Sequence, residues 1–398
     1  MYILGFLLFF FSCVFSACHT ESPSRAFPRI DITSSIPYDS IGRNDELCEI
    51  LVSANGRPDI DEWAYIHLRG NSTSGFPKRP FLIKFRNDVS VCGMPAARSW
   101  VLLANYFDQS MLRNALAFRM AEDGSFDWTP RFVFVEFFFN GEYKGTYQLC
   151  EKVQVHPNRL ALSDEGWLLE IDGRVNQEKE VFFYTPEMPT AWRIESPKMQ
   201  WGDPDIERIN QRVLQAEEAL FGDNFAQPKL GWRKFLDEKS WIDWYLINEI
   251  TKNYDGNFNS SCYVHTAMDG KLAMGPVWDF DLTCGNINSL GDERLPQGWH
   301  IRKTNYYTRL FQDPAFAITV RDRFAWFYGN RENYYQFLRS QARILKPHVM
   351  ENDAIWHTLG KYVGPNPVTE VEYNTYEDYV EFLIGWLEQR FEWMNENL

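Results

Sequence analysis

The hydrophobic residues change period along this chain, and that change limits the folds open to it. Up to about residue 155 the apolar side chains fall in short runs bounded by Gly, Pro and Asn. From Ser240 onward they recur every three or four positions. Period two belongs to half-buried strands and period 3.6 to helices packed on one face. Trp63–Leu68 alternates as a strand should, and Phe81–Phe85 is an apolar strand carrying one lysine, Lys84. Phe132–Phe139 is almost wholly apolar, followed by the turn pair Asn140-Gly141 and a return strand over 145–155. Between these strands, residues 108–120 read as a helix with Asp108 or Ser110 as N-cap and Leu112, Ala115, Leu116 and Phe118 on its apolar face. Farther on, 206–220 has helical spacing while 178–191 reads as a loop. Leu383, Trp386, Leu387, Arg390, Phe391 and Met394 recur at helical intervals near the end. The expectation is an α+β chain in two lobes. The first, 30–155, is β-rich with one main helix; the second, 156–398, is mainly helical.

A length of 398 residues is enough for two such units. Aromatic residues make up 16% of the chain, with 15 Trp and 31 Phe, which excludes a disordered or low-complexity protein. A net charge of −14 excludes an electrostatic nucleic-acid binder and favours basic protein partners. Residues 1–17 form a short apolar block, too short for a retained membrane span, and read as an export signal. Ser16-Ala17-Cys18 resembles a lipobox, so the only expected membrane attachment is this N-terminal signal or a lipid on Cys18, with 18–29 as a tether. These features predict an exported protein of a bacterial envelope or surface. Five further cysteines show no CxxC pair and leave room for one or two disulfides. The seven histidines form no HExxH pattern, which argues against a zinc hydrolase.

Chemistry concentrates in 248–286. Asp255 and the pair Asp279/Asp281 lie at the two ends of a predicted hairpin made of an alternating run (Cys262, Val264), a turn at Asp269-Gly270 and a second run ending in Trp278, with Asn253, Asn257 and Asn259 around the first site. Carboxylates and carboxamides are hard oxygen ligands, suited to Mg²⁺ or Mn²⁺ rather than zinc. Aspartates beside glycines also serve as plain turn residues, but WDFD sets two carboxylates among bulky apolar side chains, where charge is costly without a metal or partner. Lys84 is either a solvent-facing strand residue or a phosphate contact beneath the small-residue loop Arg69–Gly75. That loop has P-loop glycine spacing but Phe76-Pro77 in place of Lys-Ser/Thr, so it is no Walker motif. Lys152 is either an exposed hinge residue or a nucleotide contact; Arg69 has similar standing, and Arg113 reads as one half of a structural ion pair.

The segments RGNSTSGFPKRPFLIKF (69–85), WVLLANYFDQSMLRNALAFRMA (100–121), VEFFFNGEYKGTYQLCEKVQV (135–155) and NEITKNYD with GKLAMGPVWDFDLTCGN (248–286) resemble the CotH family of spore-coat-type secreted kinase-like proteins. The resemblance implies an atypical protein-kinase-like two-lobe fold and an enzyme transferring the ATP γ-phosphate to serine or other hydroxyl side chains of a surface or secreted protein, with Mg²⁺. On the matching positions, Asp255 is similar to the catalytic carboxylate, Asp279 to the metal-binding Asp of a DFG motif, and Lys84 to the phosphate-binding lysine. Asp281 and Asn259 (or Asn257) are implied as further metal contacts, and Arg69, Gly70 and Lys152 as nucleotide contacts. The sequence departs from the kinase pattern in three ways: Asn253-Tyr254-Asp255 stands for HRD, Asp281 replaces the DFG glycine, and no glutamate lies mid-helix to pair with Lys84, for which Asp108 is a candidate. A catalytically inactive binding protein or adhesin, and an AMP-transferring enzyme, are the alternatives on the same fold.

Overall fold

Strands β1 (Arg29–Thr33), β2 (Glu46–Ala54), β3 (Arg57–Leu68), β4 (Phe81–Val89) and β5 (Ala97–Leu103) follow one another as an antiparallel meander. The computed structural model from which they are read describes residues 27–398 apart from 55, 56, 72, 268 and 290. The predicted signal segment, Cys18 and most of the tether lie outside these. After helix α1 (Arg113–Glu122), β6 (Phe132–Phe139) and β7 (Glu142–Glu151) form the hairpin expected at Asn140-Gly141, where both turn residues have positive φ, 49° and 81°. β7 pairs with β5, and β6 returns parallel to β1 with Glu136 opposite Arg29, which closes the barrel.

Closure gives every barrel strand one inward face. Ile30, Ile32, Ile66, Phe81, Ile83, Phe85, Val135, Phe137 and Leu149 fill the interior as one core. Each side chain so buried contributes roughly 1.5–3 kcal/mol relative to exposure. The opposite parity serves a second core: Leu82, Val101, Phe134 and Cys150 face α1 and the C-terminal region.

That region begins with β8 (Leu168–Asp172), β9 (Phe182–Thr185) and β10 (Met188–Ser196), then α2 (Pro204–Phe221) and α3 (Glu238–Thr251). β11 (Cys262–Thr266) and β12 (Leu272–Met274) come next, then α4 (Asn305–Leu310), α5 (Pro314–Gly329), α6 (Arg331–Trp356) and α7 (Tyr376–Asn397). The five strands form one sheet in the order β12-β11-β8-β10-β9, and the helices predominate around it. α3 is buried on all sides from Ser240 to Thr251. The fully buried Arg390 of α7 pairs with Glu249 of α3 at 2.7 Å, joining the last helix to the central one. Among the described residues no helix is long and apolar enough to cross a membrane.

Three expectations are corrected. Residues 178–191 are not a loop: they contain β9 and the start of β10, and Pro189 falls where the pairing shifts register between Met188 and Trp192. Helix α1 begins at Arg113, not near Asp108, because the Asp108 carboxylate gathers the preceding turn around itself. It accepts from Ser110 N (3.1 Å) and Arg113 N (2.9 Å), and Met111 has φ 58°. Cys48, Cys92, Cys150, Cys262 and Cys284 are all free thiols, so no disulfide forms among them.

Candidate active site

Helix α3 stops at Lys252, which takes a left-handed φ of 49°. Its ammonium donates to the carbonyls of Asp292, Leu295 and Gln297 at 2.5, 2.9 and 2.5 Å, which fixes the turn into the loop carrying Asp255. Two backbone bonds then bring the distant aspartates together: Tyr254 N donates to Leu282 O (3.1 Å), and Cys284 N to Thr251 O (2.7 Å). Helix α1 holds the same segment from the barrel side. Asn114 Oδ1 accepts from Phe280 N at 2.8 Å, and Arg113 Nε donates to Thr283 O at 3.0 Å. Held between α1 and α3, the WDFD turn puts Asp279 at φ 67°, a conformation that non-glycine residues adopt mainly where the surroundings enforce it.

The result is a cleft of about 620 Å³ between the barrel and the C-terminal region. Arg69, Gly70 and Asn114 line one wall; Glu170, Asp172, Arg174, Asp255, Ser261, Asp279 and Asp281 line the other. Asp255 Oδ1 accepts from Asn259 Nδ2 at 2.9 Å, and its Oδ2 lies 4.0 Å from Arg174 Nη2. Ser261 Oγ donates to Asp279 Oδ2 at 3.2 Å. Asp172 Oδ1 accepts from Ser260 Oγ (3.3 Å) and Arg174 N (2.9 Å).

Negative charge is over-supplied here. Burial raises the Asp279 pKa, Arg69 pulls it back, and the nearby Asp255 adds to the rise. Burial pushes Asp281 well above the usual carboxylate range, and Asp279, Asp255 and Asp108 push it further. Carboxylates that repel one another in a desolvated site are the donor set that a divalent cation relieves. Deeper in the cleft, Arg193 is held ionised by Glu170, Glu195 and Glu180. Three acids around one guanidinium leave an excess, and burial pushes Glu170 up to about 7.

The cleft gathers Asp255, Asp279, Asp281, Arg69 and Gly70 of the residues picked from sequence. Lys84 is not among its lining: on the outer face of β4 it is half-exposed and pairs with Asp45 at 3.0 Å. Asp108 is not its partner, being fully buried against Arg113 at 2.6 Å, which makes Arg113 the structural half-pair that was expected. Lys152 is half-buried and is not part of the cleft lining, and desolvation lowers its pKa. Asn259 spends its amide nitrogen on Asp255, while Asn257 is exposed and lines a separate pocket with Phe258 and His300. Glu170, Asp172, Arg174, Ser261 and Asn114 escaped sequence reading. The signal for the first three was present in Leu168-Leu169-Glu170-Ile171-Asp172-Gly173-Arg174, an apolar strand whose acids end at a Gly turn.

Fold and site together define an α+β protein with a β-barrel first part, a helix-rich second part and an acidic, arginine-edged cleft between them. A profile for CotH kinase protein matches residues 66–394, and the chain belongs to the CotH kinase family. Kinase-type chemistry and the use of ATP follow from that membership. A comparison with curated proteins found no match.

Proposed function

We propose that this chain is an exported, divalent-metal-dependent protein kinase that transfers the γ-phosphate of ATP to serine hydroxyls of another protein. The observation that carries this reading is the convergence of Asp255, Asp279, Asp281 and Arg69 in one cleft. In this reading the fold is an atypical kinase-like pair of lobes with the nucleotide between them, and the export rests on the apolar block at 1–17 and on Ser16-Ala17-Cys18. Asp279 and Asp281 would hold Mg²⁺ or Mn²⁺, since their mutual repulsion and oxygen chemistry fit a hard cation. Such an ion supplies charge neutralisation on the phosphate oxygens. Asp255, kept in place by Asn259, orients the acceptor hydroxyl and takes its proton. Arg69, within 5.4 Å of the Trp278 ring centre, is the cation on the barrel side nearest to this chemistry and takes the phosphate role first given to Lys84.

The test is incorporation of labelled phosphate into a generic basic protein or into the chain itself, with Mg²⁺ and ATP. Asp279→Asn is expected to abolish transfer while leaving the melting temperature of the protein close to wild type. Transfer by that variant at the wild-type rate refutes the assignment. Intact mass of the product distinguishes phosphoryl from adenylyl transfer, and absence of any modification favours a non-catalytic binding protein.

A further inference from the structure

Among the cations on the C-terminal wall of the cleft, Arg174 is the one whose reach to Asp255 the structure records. Arg193 is saturated by three carboxylates. Arg43 is committed to the Gly70 carbonyl at 2.8 Å and to Ser74. Arg174 has a fixed backbone and an uncommitted head. Its N–H is bound by Asp172 Oδ1 at 2.9 Å, and the adjacent Gly173 N donates to Asn259 O at 2.8 Å. These bonds tie it to the loop that carries Asp255. Its side chain lines the cleft and is 44% exposed, and its guanidinium makes no hydrogen bond among the described residues.

The distance to Asp255 is informative. A closed arginine–carboxylate pair settles at about 2.7–2.9 Å, yet Arg174 Nη2 stays 4.0 Å from Asp255 Oδ2. Its charge is also felt at Asp279. The guanidinium therefore sits in the cleft beside the carboxylate assigned to the acceptor hydroxyl, in the same lining as Asp279, within reach of the group in transit. Five N–H donors in a planar fork match phosphoryl oxygens.

We propose that Arg174 binds the γ-phosphoryl group of ATP and stabilises it during transfer. The inference rests on the kinase reading above. In the step itself, a bond forms between the acceptor hydroxyl oxygen and the γ-phosphorus as the bond from that phosphorus to the β,γ-bridging oxygen breaks. The hydroxyl proton passes to Asp255 and ADP leaves. Arg174 donates to the equatorial oxygens of the moving group and so acts as an arginine finger supplied by the chain itself.

The experiment measures Mg²⁺-ATP and Mg²⁺-ADP binding to the whole protein by calorimetry, for wild type, Arg174→Ala and Arg174→Lys, alongside the rate of phosphate transfer. The expected result is that wild type prefers ATP to ADP and that Arg174→Ala erases most of this preference by weakening ATP alone. Its kcat is expected to fall about 10²–10³-fold, the scale seen when one preorganised donor to a transition state is removed. Millimolar guanidinium should restore part of that rate, and Arg174→Lys should fall between the other two. An unchanged ATP-to-ADP ratio in Arg174→Ala overturns the proposal, as does equal weakening of both nucleotides, which would make Arg174 a plain ion-pair partner of Asp255. A wild type that binds neither nucleotide sinks the kinase reading and this inference with it. A wild type that binds both without transferring phosphate sinks the kinase reading and the transfer half of this inference, while the binding ratio still decides for or against a γ-phosphate contact at Arg174.

Discussion

Asp281 occupies the place where the kinase pattern has a glycine, and its surroundings explain what a carboxylate there does. Half-buried, desolvated and faced by Asp279, Asp255 and Asp108, it binds a proton far more readily than an ordinary aspartate. In the metal-free protein its charge is a liability; beside a divalent cation the same charge is an attraction. Asp281→Asn should therefore leave the metal-free protein at least as stable as wild type near neutral pH while removing most of the thermal stabilisation given by Mg²⁺. Thermal melts with chelator and with excess Mg²⁺ check both halves, and a variant that keeps the full Mg²⁺ shift refutes the role. At this scale the aspartates were legible because acids embedded in WDFD conflict with their apolar neighbours. Lys84 was not, because strand parity alone cannot say whether an outward face meets a cleft or water. Its neighbour of the same parity, Leu82, is buried in the junction, whereas Lys84 lies beyond its edge against Asp45.

Helix α1 is the element that ties the barrel to the acidic turn, and it does so with polar side chains as well as with its apolar face, where Phe118 packs on Trp278 with ring centres 5.7 Å apart. Asn114 is the single contact from the helix to the Phe280 N–H, immediately after Asp279. Its loss should free the turn to relax out of its positive-φ conformation. Asn114→Ala should weaken Mg²⁺ binding by about 10–100-fold, the range for groups that orient metal ligands, with a small change in melting temperature. Calorimetric Mg²⁺ titration reads this directly, and wild-type affinity would contradict it. Arg113 is a different case, since it offsets the fully buried Asp108. Arg113→Met strands that charge and should cost about 3–5 kcal/mol in urea unfolding; a loss below about 1 kcal/mol would show that Asp108 is compensated elsewhere. That Arg113 sits in a structural ion pair was readable beforehand; its partner Asp108 and the role of Asn114 were not. The apolar residues of α1 were correctly picked out, but the start of the helix depends on a carboxylate-centred turn whose partners lie beyond its own sequence. For β9 and β10, Pro186, Pro189 and the charges around 178–180 imitate a loop, and only the pairing of β10 with β8 and of β9 with β10 brings them into a sheet.

At the scale of the molecule, the change of hydrophobic period did carry the α+β division. It did not show that the barrel closes through a parallel β1–β6 pair, nor that the second part is built around a five-stranded sheet. Both depend on pairings between segments about a hundred residues apart, which period cannot encode. The same long-range assembly collects buried acids whose proton affinity rises on folding: Asp279, Asp281, and Glu170 at about 7. A carboxyl whose pKa is raised on folding binds more protons in the native state than in the unfolded one. Its contribution is favourable at low pH and is lost as pH rises from the ordinary carboxylate range through its folded pKa. Lys78 acts in the opposite sense over part of this window, because burial depresses its pKa well below normal and its ammonium becomes cheaper to bury as pH rises. The raw stability curve is then a difference of opposing slopes, but the metal increment is not. Mg²⁺ competes with protons at Asp279 and Asp281 and leaves Lys78 untouched. The rise in melting temperature produced by Mg²⁺ should therefore grow as pH rises above the ordinary carboxylate range, because both aspartates hold their protons more tightly than free ones. Asp281→Asn should flatten that slope, whereas Glu170→Gln should leave it standing, since Glu170 answers to Arg193 rather than to the metal. A Mg²⁺ increment that stays constant over that rise in pH in the wild type would mean that the two aspartates are ionised throughout, and that the cleft compensates their charge without a cation.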